Sequence, residues 1–502
     1  MVVTLIAIFH RGRHTRKPRT FPGLNGHTRR SNGWPGAIPT IDCHYPEHPV
    51  KRWLVFLLIA LALLILLSPG IVGRLAERGI DAGLEQVSVE RDDVEIAEES
   101  FQRGWFSSSG RHRIALRHGS LRDLVDATYD AEAATDDSTG PALVIDTRLD
   151  HGLIPVTSVQ RDGGSLNPAL ASAVSTVQLD PGDGQLLSLP GAVYSFFGVG
   201  GRNSFRYLAD AGSERIEEGT VSWKKLDLSY AVGSDGLDET VTADIDTLTG
   251  KWPGVDALLE RLTVDWSYKD RTDSLGDGNL SVELHNLELD APDADPAGTG
   301  KLRVETLILD ADSVVNDDRF GTRSRLDLRL LDAAPVGDVS LGLEMQIDGV
   351  DASALDVLLK TWRELEDLND DPTLALTDPR LQRQLQALVS TGGQLAISEA
   401  TFSVDPGDAE LSLSVSVGDT SGNRDFSWPT VLLNSRASLD ARIAASLYDA
   451  LVEIDPQVRG ALASGMLRKE GDDYVMAVEF EKGRLRINGA PMSLPIGGGL
   501  PR

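Results

Sequence analysis

Three kinds of string in this 502-residue chain carry residue types able to do chemistry. The first is Gly104-Trp105-Phe106-Ser107-Ser108-Ser109, a row of hydroxyls behind a glycine. A serine nucleophile needs a positioned base and an oxyanion hole, and the chain has no Gly-x-Ser-x-Gly elbow. The string therefore reads as a tight turn, its Trp105 and Phe106 pinning a sheet edge or resting near a bilayer surface, where such aromatics are enriched. The second kind is histidine. His112, His118 and His151 are irregularly spaced, without the short ligand spacing and carboxylate support that zinc demands. His118-Gly119 and His151-Gly152 read as strand-end turns. The third kind is the Asp-rich loop: Asn316-Asp317-Asp318, Asn369-Asp370-Asp371 and Asp290 to Asp295. Calcium takes several oxygens from such loops, but none matches the twelve-residue pattern and Asp is common in ordinary turns.

Other chemistries lack their signatures. There is no Gly-x-x-x-x-Gly-Lys-Ser/Thr phosphate loop, and the Gly198-Val199-Gly200-Gly201 cluster stands alone. With 76 acidic residues, choosing any two as a glycosidase pair would be arbitrary. No cofactor is implied. A formal net charge of −28 disfavours nucleic acid and tight binding to anionic headgroups.

The elements that would position these residues are legible. Trp53 to Val72 holds twenty residues without an ionisable side chain, its core running from Leu54 through Phe56 to Leu67. About 20 apolar residues cross the ~30 Å hydrocarbon layer, so one transmembrane helix over 53–72 is expected. Lys51 and Arg52 precede it, and residues 1–52 hold nine Lys/Arg against Asp42 and Glu47. A basic flank stays cytoplasmic, which places residues 73–502 outside the cytosol. No Ala-x-Ala cleavage site and no lipidation Cys follow the run, so the anchor is read as uncleaved. Residues 1–52 are Pro-, Gly- and Arg-rich without an apolar period. They read either as a disordered cytoplasmic tail or as the product of a start upstream of the true one near Val50. The single cysteine, Cys43, leaves the outer region without disulfides, which a body of this size can do without.

Beyond the anchor the dominant signal is period two. Leu411 to Val417, Val339 to Ile347, Leu326 to Leu330, Leu226 to Tyr230 and Leu262 to Tyr268 each alternate apolar and polar. That pattern predicts antiparallel sheet with one face buried and one wet. Turn clusters stand at Asp180 to Gly184, Gly233 to Gly236, Gly276 to Gly278 and Asp405 to Gly407. Helical spacing appears at Leu355 to Leu368 behind Ser353 as cap, after Asp378-Pro379, at Leu439, Ile443, Leu447 and Leu451, and after Asp455-Pro456. These helices are expected to cover the apolar face. A hairpin from Tyr474 to Ile487 closes the chain. The fold class is thus α+β, predominantly antiparallel β. A β-rich region over 73–345 precedes an α+β region over 346–502, and the two can share one long sheet. Ala192 to Val199 reads as a buried strand or as a lip touching lipid.

Several strings look familiar together: Phe101 to Ser109, the strand Ile114 to Leu116, Asp146 to Pro155, Gly465 to Leu467, Tyr474 to Phe480, and Gly483 to Gly489. This layout resembles the YdgA-like family of bacterial envelope proteins over roughly residues 51–495. The resemblance implies a single-pass inner-membrane protein with a large periplasmic body, and supplies no catalytic residues. The family's usual His-Gly-Pro string reads His151-Gly152-Leu153 here. Positions matched by motif, without a role attached, are Gly104, Trp105, Phe106, Ser107, His151, Gly152, Asn488 and Gly489.

Three functions follow as expectations. The first is a non-enzymatic scaffold or binding module of the envelope, engaging a protein partner or its own copy. The second is a lipid-handling protein whose sheet leaves an apolar groove. The third is a hydrolase, which would need His118 or His151 within reach of a serine or carboxylate in a cleft; neither is expected there.

Overall fold

The computed structural model describes residues 93–119, 122, 125, 140–151, 169–182, 186–198, 201–216, 219–234, 236–272, 274–291, 300–333, 337–366, 378–422 and 426–492. The expected anchor residues Trp53, Leu54, Phe56 and Leu67, and the motif residue Gly152, lie outside them. Among the described residues no helix is long and apolar enough to cross a membrane. The chain divides into two compact units, residues 1–189 and 190–502. Position 345, where the sequence pattern turns from strands to helices, lies inside a strand.

The first unit is an antiparallel meander of β1 (Val94–Arg103), β2 (Ser107–Leu116), β3 (Ala142–His151), β4 (Ala169–Asp180) and β5 (Leu187–Ser188). Alternation sets its faces: Ser108, Gly110 and His112 of β2 turn inward while Ser107, Ser109 and Arg111 face out. Leu116, Val125 and Leu143 form a buried cluster against Val94, Ile114, Val177 and Leu179.

The second unit holds the remaining strands: β6 (Ala192–Gly198), β7 (Asn203–Ala209), β8 (Gly212–Ile216), β9 (Gly219–Trp223), β10 (Leu226–Val232), β11 (Asp238–Ile245), β12 (Leu248–Trp252), β13 (Val255–Asp270), β14 (Gly276–Asp290), β15 (Lys301–Asn316), β16 (Arg319–Ala333), β17 (Gly337–Asp351), β18 (Gly393–Val404), β19 (Gly407–Val417), β20 (Ser435–Ala444), β21 (Arg468–Glu470), β22 (Asp473–Glu481), β23 (Arg484–Ile487) and β24 (Ala490–Met492). From β13 each strand pairs antiparallel with the next through β20, which pairs with β22. The long β13 serves two ribbons on its other edge. Its Val255–Leu259 stretch pairs with β12, which leads to β9 and β8; its Leu262–Lys269 stretch pairs with β11, which leads to β10, β7 and β6.

Local chemistry explains the turns. Asp317 and Asp318, considered above as calcium ligands, take φ of 46° and 63° in the tight β15–β16 turn, a left-handed pair that Asp tolerates. Lys482 and Gly483 do the same between β22 and β23. Gly276 and Gly278, expected in a turn, are in β14 instead. A Cβ on Gly276 would sit 2.3 Å from the Lys269 carbonyl oxygen and 2.6 Å from the Tyr268 ring, so glycine there admits the tyrosine.

The helices are α1 (Ala352–Glu366), α2 (Pro379–Ser390), α3 (Trp428–Leu433), α4 (Ala445–Ile454) and, after a 3-10 turn at Pro456–Val458, α5 (Arg459–Ala463). Asp378 caps α2 as its Asp-Pro pair predicts. The cap of α1 is Asp351, whose carboxylate accepts from the Ala354 N–H at 2.8 Å; Ser353 is already helical. Leu439 and Ile443 are strand, not helix. Ser435–Ala444 alternates Ala437, Leu439, Ala441 and Ile443 inward with Arg436, Asp440 and Arg442 outward, and a four-residue spacing satisfies both periods. Among the described residues, the helices' most extensive strand contacts fall on β17, β19, β20 and β22. The expected helical cover of the apolar face is therefore heaviest at its margins.

The polar face carries paired charges. The Arg206 guanidinium grips Asp227 through two bonds of 2.8 and 2.6 Å and holds its carboxyl below the usual carboxylate range. The native state therefore favours the ionised form, so this stabilisation exists above the unfolded Asp value of about 3.9 and drains away as pH falls through the lower folded value. Asp227→Asn is expected to cost about 1 kcal/mol at pH 7, the guanidinium being half exposed and screened. The deficit should vanish in urea titrations run well below pH 4. A deficit unchanged at acid pH would mean the ion pair contributes nothing.

Candidate functional site

The register of the second unit aligns apolar side chains across strands. One row runs Val193, Tyr207, Leu228, Ala243, Val264, Val282, Leu309, Leu326, Leu343, Ala400, Leu411, Ala441 and Met476, on β6, β7, β10, β11, β13 to β20 and β22. On one side of it lies Leu262, Leu284, Leu307, Leu328, Leu341, Phe402, Ala409, Ile443 and Tyr474. On the other side lie Trp266, Leu280, Ala311, Met345, Ile397, Leu413, Leu439 and Val478, broken by Ser324. A fourth row, Leu259, Leu287, Val304, Leu330, Val339 and Val404, runs from β13 to β18. Between these rows, on the opposite face, stand residues such as Asp265, Ser281, Asp310, Arg325, Glu344 and Glu399.

A sealed core would bury such rows. Here, among the row residues on β13 to β19, only Val304 and Val404 are buried; Phe402 is exposed, the rest are half-buried, and Leu395 beside them is exposed as well. Helices close the margins. Asp356 of α1 accepts from Thr272 in the β13–β14 turn at 2.8 Å, while α1 spends its apolar residues Leu358, Trp362 and Leu365 on Leu381 of α2. Burial pushes the Tyr268 hydroxyl pKa up at that margin, where Asp270 and α1's Arg363 and Asp356 also act on it. At the opposite strand ends, Tyr448 and Val452 of α4 pack on Tyr474, the two rings 4.4 Å apart. The result is an aliphatic trough with helical ends and an open middle.

The sequence motifs assemble elsewhere. In the first unit, Ser108 Oγ and His151 Nε2 share a 3.0 Å hydrogen bond, a pairing that their separation in sequence does not announce. Ser108 pairs with Leu149 across β2–β3, and His151 lies two residues on, hence on the same face. Both are more than nine-tenths buried, which shuts a substrate out. Asp150 points to the other face and lies 3.6 Å from Arg148, so it does not back the imidazole. The His151 N–H donates to the Phe106 carbonyl at 2.9 Å, and Gly104 N–H to Ser107 at 2.8 Å. A Cβ on Gly104 would sit 2.4 Å from the Ser107 oxygen. Gly104, Ser107 and His151 thus form a clasp around the β1–β2 turn, and Trp105 and Phe106 stand exposed at its tip. His112 packs over Gly110, where a Cβ would meet its Nε2 at 3.0 Å; His118 lies on the bend after β2.

Asn488 is a bracket. With φ of +49° its side chain accepts from the Ala477 N–H at 2.9 Å and donates to the carbonyls of Gly465 and Met466 at 3.2 and 3.0 Å. Gly489 follows with φ of +77°. The polar depression of about 600 Å³ beside Asn488 has its two arginines already paired, Arg442 with Asp473 and Arg468 with Glu470. Among the described residues no group of three or more His, Cys, Asp or Glu is placed to hold a metal ion.

These features define a mostly antiparallel β protein with one long, one-sided apolar sheet. Residues 51–495 match the model of a family described as a bacterial protein of unknown function (DUF945), and the chain belongs to that family. No curated protein and no solved structure matches it.

Asn488→Gly keeps the backbone conformation and removes three bonds. It is expected to cost about 1–3 kcal/mol in chemical denaturation of the chain. Asn488→Asp keeps the acceptor for the Ala477 N–H but sets a carboxylate oxygen against the Gly465 and Met466 carbonyls, so at neutral pH it should cost at least as much; a loss well below that of Asn488→Gly would show that the two donated bonds have no role.

Proposed function

We propose that this chain is a non-enzymatic lipid-binding protein of the bacterial envelope, holding acyl chains in the trough of its long sheet. In this reading Trp53–Val72 anchors it in the inner membrane with the N-terminus in the cytoplasm and residues 73–502 in the periplasm, as the likeness to YdgA-like proteins implies. The observation that carries the reading is the row from Val193 to Met476, in register over thirteen strands with side chains that, apart from buried Leu228, are half-buried. Burying a methylene is worth about 0.8 kcal/mol. Ten carbons seated on the rows would gain on the order of 8 kcal/mol before ordering costs. Hydrocarbon suits the surface, because lipid tails are as apolar as the leucines that dominate it.

The test is native mass spectrometry of the full chain released from membranes in mild detergent. Adducts of phospholipid mass are expected, and Leu326→Asp together with Leu343→Asp should remove most of them while circular dichroism retains the β signal. A lipid-free chain, or a dimer in which a second copy covers these rows, would sink the reading and favour the scaffold alternative.

A further inference from the structure

The dimensions of the trough bear on how many ligands it takes. Thirteen strands about 4.8 Å apart make a path on the order of 55–60 Å along the Val193–Met476 row. An acyl chain fills one leaflet, about half of a ~30 Å hydrocarbon layer. The path is therefore several chain lengths long. Adjacent rows, two residues apart, lie about 6.7 Å from each other, so chains can also lie side by side.

The floor has no stop along this length. Single-ligand pockets fix one pose with a few convergent polar groups, whereas this row crosses the strands without a charged side chain. Its middle is also unlike a protein–protein contact, which enriches Arg and aromatics; from Val264 to Ala441 it is Val, Leu and Ala alone. Among the described residues, the helices that close the strand-end margins make their most extensive strand contacts on β17, β19, β20 and β22. Resting on the acyl-binding reading, we propose that the trough holds two or more diacyl lipids at once, their chains laid across the strands, and so works as a path along the sheet and not as a pocket for one molecule.

The experiment loads the delipidated full chain in detergent with a single synthetic phosphatidylethanolamine. Native mass spectrometry is expected to show species with two and more lipids as the lipid is titrated. A photoreactive amino acid at Ala243 and, separately, at Leu411 should capture the same lipid at both places. Leu326→Asp, placed between them, should lower the maximum number bound while capture persists at both ends. Saturation at one lipid, or capture at one end alone, would overturn multiple occupancy and leave acyl binding standing. Absence of any lipid would overturn both.

Discussion

Phase is the constraint on which this structure depends. A strand displaced by one residue turns every side chain to the wrong face, and the apolar rows, the longest of them over thirteen strands, run without such an error. Extra residues keep them in step. On β13, β14 and β15 the spacing between two rows is three residues, from Leu259 to Leu262, Leu284 to Leu287 and Val304 to Leu307, with Glu260, Asn286 and Glu305 taking up the surplus. The surplus is absorbed where β15 meets β16, whose register shifts between Val304 and Thr306. A second correction sits at Ser398 and Glu399, between Ile397 and Ala400. Asn286 takes a φ of 50°, one of few non-glycine residues to do so. These bulges also increase local twist, and so bend the surface that they keep in phase.

Much of this was readable beforehand, and the failures have physical causes. Alternation from Leu326 to Leu330 and from Val339 to Ile347 identified strands and faces, because a sheet with one wet face writes period two directly into its residues. The Leu439–Ile443 stretch misled because spacing by four fits a strand as well as a helix. The glycines of β14 looked like a turn, since a strand glycine answering to a neighbour's ring has no local signature. What helices do with their apolar sides was not readable at all. The stripe of α1 pointed to sheet cover, yet Leu365 is buried against Leu381 of a neighbouring helix.

The motif residues divide along the same line. Gly104 to Ser107 was recognisable as a turn from its types alone. Its partner was not: Ser108 and His151 are 43 positions apart, and only the β2–β3 register makes them neighbours. Asn488 carries no role that its sequence context reveals, yet its amide reaches back more than twenty residues to hold Gly465 and Met466. Both sets of motif strings thus coincide with hydrogen bonds between residues far apart in sequence. The trough itself has no motif, only a composition repeated in register.

The order of pairing has a consequence for how such a sheet comes into being. From β13 to β20 every strand lies beside the one made just before it. Contacts of short loop length form early and cost little chain entropy. Over β13 to β17, where the connections are short, growth can then proceed by accretion, each new hairpin templated on the last; β18 finds that edge only after α1 and α2 have been made.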